Sequence, residues 1–65
     1  MATDQAEERI AEELRVAMFD FLVAVKQGSV LLAQRAALER ALANAKDLPD
    51  TFYCAAISEA RIDAA

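Results

Sequence analysis

From Val16 to Val25 the chain is apolar except for Asp20. The run constrains the fold more than any other feature. A helix is the only regular element consistent with its surroundings, because the whole chain holds one glycine and one proline and is rich in Ala, Leu, Glu and Arg. Those residues favour helix, whereas sheets need β-branched runs and frequent turns. The run is about half the roughly 20 residues that span a bilayer as a helix, so it reads as core rather than membrane. A helix apolar nearly all round must be covered on more than one side.

The chain has 65 residues to supply that cover. A fold this short buries only about 60% of the surface its unfolded chain exposes, and a single core rarely contributes more than about 3–5 kcal/mol. Chains of this size lean on disulfides, a metal or a second copy. Cys54 is the single cysteine and there is no histidine, so neither an internal bridge nor the usual zinc sites can form. Self-association is the expected solution.

Asp4 followed by Glu7 matches a capping box, with Thr3 the other candidate N-cap, and the early acids suit the positive end of a helix dipole. The first helix is predicted over about 4–27. Ile10, Leu14, Met18, Phe21 and Val25 recur at helical spacing along one face, while Val16, Phe19 and Val23 line a second, with Leu22 between them. Gly28 and Ser29 then read as the C-cap of this helix and the N-cap of the next. The rival is one continuous rod with a seam through Val25, Gly28, Leu32 and Ala36. The six-residue step from Val25 to Leu31 turns a helix by about 240°, so an unbroken helix would point the two stripes in different directions, which favours a turn.

The second helix is predicted over about 30–47, with Leu31, Leu38, Leu42, Ala45 and Leu48 as its stripe. A reversal at 28–29 would bring Glu8, Glu12 and Glu13 beside Arg40 and Lys46, opposite signs facing. Pro49 ends this helix. Asp50 is the expected cap of a third, over about 51–62, in which Phe52, Tyr53, Ala56, Ile57 and Ala60 form the apolar side. Phe52 and Tyr53 would fold over the open end of the hairpin, and residues 62–65 would fray. There is no repeat, low-complexity tract or linker.

Little in the chain offers chemistry. Glu8 and Glu12 share a face, yet the histidine that completes carboxylate metal sites is missing. Asp20 sits between Phe19 and Phe21 and is read as lying on an exposed strip or at an interface, since burying it alone would force it to neutralise or pair. Cys54 has no histidine base and is expected to be a small buried residue; Tyr53 packs its ring and keeps its hydroxyl wet. Ser29 and Ser58 lack a triad, and Gly28 with Ser29 has neither the strand nor the lysine of a phosphate loop. No catalytic residue, metal or cofactor is expected.

The formal charge of −4 argues against phosphate backbones and anionic lipid, and the basic residues Arg35, Arg40 and Lys46 make only a diluted footprint. Early acids in place of a signal peptide, together with a reduced cysteine, fit the cytoplasm, and the alanine- and arginine-rich composition is of bacterial or phage type. The expectation is therefore an all-α antiparallel hairpin plus a short third helix, completed as a bundle by self-association. Its expected role is a non-enzymatic protein–protein interaction module: a small adaptor, inhibitor or regulator acting as a homodimer or small homo-oligomer. The interface is assigned to Val16, Phe19, Asp20 and Val23, with Phe52 and Tyr53 at its edge. The alternatives are a structural subunit of a helical polymer or shell, and an acidic mimic or weak binder of nucleic acid.

Overall fold

A computed structural model describes the backbone of residues 2–65 and the side chains from Gln5 onward. The described chain forms three helices: α1, Ala2–Gln27; α2, Leu32–Asn44; and α3, Asp50–Ala64. The architecture is all-α. At about 1.5 Å per residue, the 26-residue α1 accounts for the long dimension of the molecule, 41 × 22 × 15 Å across its Cα atoms. Both other helices pack on α1, while α2 and α3 make no close backbone approach to each other. The bundle is thus an open V built on one long spine. Among the described residues no helix is long and apolar enough to cross a membrane.

Gly28 makes the reversal, and the continuous rod is ruled out. Its φ of +76° is a left-handed conformation that costs a side-chain-bearing residue about 1–2 kcal/mol. The Gly28 N–H donates to Val25 O and the Ser29 N–H to Ala24 O, both at 3.0 Å, so the last carbonyls of α1 are satisfied by a Schellman closure. That closure uses the Ser29 N–H in the turn, and Ser29 is not the cap of α2. Leu31 takes the position instead, extended at φ −83°, ψ 151°. Gln34 reaches back to accept the Leu31 N–H at 3.0 Å. Consequently α2 is shorter at both ends than the 30–47 expected.

The bracing at the other turn also differs from the sequence reading. Pro49, extended at ψ 145°, is the N-cap of α3, and its carbonyl accepts from Phe52 and Tyr53 at 3.0 and 3.1 Å. Asp50 stands in the first turn, where its carboxylate favours the dipole without capping it. The helix then continues to Ala64 rather than fraying at 62. Lys26 donates to the carbonyls of Ala64 and Ala65 at 3.4 and 2.9 Å, satisfying the C-terminal end of α3 from the spine. The cap expected of Thr3 or Asp4 depends on side chains outside those described.

The core forms where three segments converge: the middle of α1, the second half of α2 with the turn after it, and the first half of α3. Leu14 is fully buried there against Leu38, Ala41, Ala45, Leu48 and Ala56. Ile10, Met18, Phe21, Leu42, Phe52, Tyr53 and Ile57 pack around them. Phe52 and Tyr53 therefore belong to the core's margin, packed against the cluster that includes Ala45 and Leu48. Cys54 is exposed, contrary to expectation, because the face of α3 turned to α1 carries Phe52, Ala56 and Ala60 and leaves Cys54 off it.

Candidate interaction surface

At the far end of the V the same kinds of side chain are uncovered. Leu31 is 61% exposed and Leu32 85%, while Val25 and Val30 are about half exposed. Leu31 and Val25, both expected in the core stripes, are thus outside it. Two physical causes act together. The turn at residues 28–31 carries Val30, Leu31 and Leu32 beyond the buried residues, Val25 lies on α1 beside the buried Ala24, and the buried side chains of this half, Ala24 and Ala60, are too small to spread a core around them. From Phe21 to Leu38 the chain also holds no carboxylate, and Lys26 and Arg35 are its charged residues there. Arg35 is paired with Glu39 at 3.2 Å.

Further down the hairpin, at the level of the core, α1 and α2 leave an open groove of about 380 Å³. Its floor is Val16, Ala17, Ala37 and Ala41. Glu12, Glu13 and Asp20 rise on the α1 side, with Arg40 and Asn44 on the α2 side. The expected ion pairs across the hairpin do not form: among the described residues, Glu8, Glu13, Asp20, Arg40 and Lys46 enter no pair within 4 Å. The groove lies between the two sets of charged side chains.

Glu12 is instead paired within α1, to Arg15, which also reaches α3. Arg15 donates through its Nε to Glu12 Oε2 at 3.0 Å, binds the second carboxylate oxygen through Nη2, and reaches Asp63 on α3 at 3.3 Å. The Arg15 hydrogen bond holds the Glu12 carboxyl below its ordinary value, against a smaller opposing effect of desolvation, and raises the Arg15 guanidinium in turn. Exposed pairs of this kind fix register more than they add stability. A narrower groove of 240 Å³ between Phe52, Ala56 and Arg15 runs along this seam.

The residues assigned to the interface from sequence therefore separate into groups. Val16 and Asp20 line the α1/α2 groove, with Val16 44% exposed. Phe19 and Val23 lie half-buried on α1 and outside the core cluster. Phe52 and Tyr53 pack inward from α3. What sequence reading missed is the apolar end, Val30 to Leu32. Its signal was the position of those residues immediately after a glycine turn, at the end of the hairpin.

Among the described residues no group of three His, Cys, Asp or Glu side chains is placed to hold a metal ion. Comparisons with protein-family models, curated proteins and solved structures found no match.

Proposed function

We propose that this chain is a non-enzymatic protein–protein interaction module acting as a homodimer or small homo-oligomer. One observation carries the reading: Leu31 and Leu32, with Val25 and Val30, stand in water at the end of the hairpin. Clustered aliphatics rimmed by polar residues mark interaction sites on small proteins, because a chain of this size has little stability with which to offset their exposure. The half-exposed Val16 in the groove adds apolar surface further along α1.

The test is a Leu31→Ser, Leu32→Ser variant. Both side chains lie outside the core, so helix content by circular dichroism stays near that of the unmodified chain while the mass in sedimentation falls. An unmodified chain that already sediments as a single copy, with no change on substitution, overturns the reading. Ordered filaments in electron microscopy of concentrated protein would replace the module by the structural subunit.

A further inference from the structure

The geometry points to a second copy of this chain as the occupant of the α1/α2 groove, paired about a two-fold axis that runs along the groove. This deepens the proposed function and rests on it. The groove presents two acids on α1, Glu13 and Asp20, about 10 Å apart along the helix, and a single base, Arg40, on α2. None of these three is ion-paired among the described residues. All three are exposed and line the space a partner would enter.

Two face-to-face arrangements of a pair of hairpins are closed dimers. With the axis across the helices, α1 of one copy faces α1 of the other, and Glu13 and Asp20 meet their own kind. With the axis along the groove, α1 of each copy faces α2 of its partner, and Arg40 of one protomer lies across from the acidic side of the other, twice over by symmetry. Like charges brought together at an interface are strongly unfavourable, so the charges select the second arrangement. The alanines Ala37 and Ala41 on the floor let the two layers approach closely, and Val16 is covered. The same axis sets the two exposed turns, Val30 to Leu32, side by side at one end of the dimer, where each covers part of the other.

The experiment uses charge reversal in trans on the full chain. Arg40→Glu in one chain, and Glu13→Arg with Asp20→Arg in another, each set like charges against each other in their own homodimer. Each is expected to dissociate about tenfold or more readily than the unmodified protein. An equimolar mixture restores opposite charges across the interface and is expected to recover the lost affinity, read by sedimentation, with circular dichroism confirming that each variant is helical. As a guard against misfolded variants, the unmodified dimer itself weakens as added salt screens these charges.

Arg40→Glu homodimers as tight as the unmodified protein, or a mixture that fails to recover, overturn the groove arrangement while leaving self-association in place. An affinity indifferent to salt does the same. An unmodified chain that never associates overturns both this inference and the function it rests on.

Discussion

Leu14 and Leu32 are the same side chain with opposite fates, 0% and 85% exposed, one midway along the hairpin and one beside its turn. Around Leu14 three segments meet, and each contributes a large residue: Phe21 from α1, Leu38 and Leu48 from α2 and its turn, Ile57 from α3. Around Leu32 the turn has carried the chain beyond the packed layers, and the buried neighbours below are alanines. Intrinsic hydrophobicity is equal at both positions. Convergence of elements decides which is core, and a chain this short converges only once.

The comparison breaks most visibly in the core. Leu14→Ala removes the one large side chain with no exposure and is expected to cost about 3 kcal/mol, a loss on the order of everything a core of this size supplies. Urea unfolding followed by circular dichroism checks it, with the variant largely unfolded before denaturant is added. Overpacking the core is the next largest effect. Ala45→Leu, at a position with no exposure, is expected to destabilise by about 1–3 kcal/mol. Ala33→Leu, on the exposed side of α2, stays within about 0.5 kcal/mol.

At the open end the backbone matters more than the side chains. Gly28→Ala has ample space for a Cβ but forces φ of +76° on alanine, and a loss of about 1 kcal/mol in the same unfolding measurement is expected. The pair between Glu12 and Arg15 has a smaller, pH-dependent effect. Because the folded Glu12 carboxyl lies below its ordinary 4.5, its contribution is complete above that value and is lost as pH falls through the folded one. An acid titration of Arg15→Met against the unmodified protein should show a stability gap near neutrality that closes at low pH. Leu32→Ser is the smallest of all on stability, within about 0.5 kcal/mol, since the side chain has almost nothing to lose. A larger loss in the dissociated chain would mean that the open end is not open.

Much of the fold was legible in the sequence. The turn at Gly28 followed from the phase between Val25 and Leu31, the break at Pro49 from its missing N–H, and the apolar face of α3 from the spacing of Phe52, Ala56 and Ala60. Helix ends were less so, because a Schellman closure took the Ser29 N–H and Pro49 took the cap expected of Asp50. Periodicity also overassigned the core. It reports which face a residue occupies and is silent on whether another element reaches that height, so Val25 and Leu31 were counted inside. Charge alternation gave the antiparallel direction of the hairpin but not its pairs, since Arg15 pairs with Glu12 within α1 and the groove lies between Arg40 and Glu13. Of the interface residues read from sequence, Val16 and Asp20 reach the groove; Phe52 and Tyr53 were drawn inward by α3.

The most direct measurement is the mass of the unmodified chain by sedimentation equilibrium over a wide concentration range. A core that is sufficient for folding and an open surface that is not covered together predict a helical species of twice the chain mass, dissociating to single copies on dilution. A helical protein that remains a single copy at the highest concentrations would contradict the account.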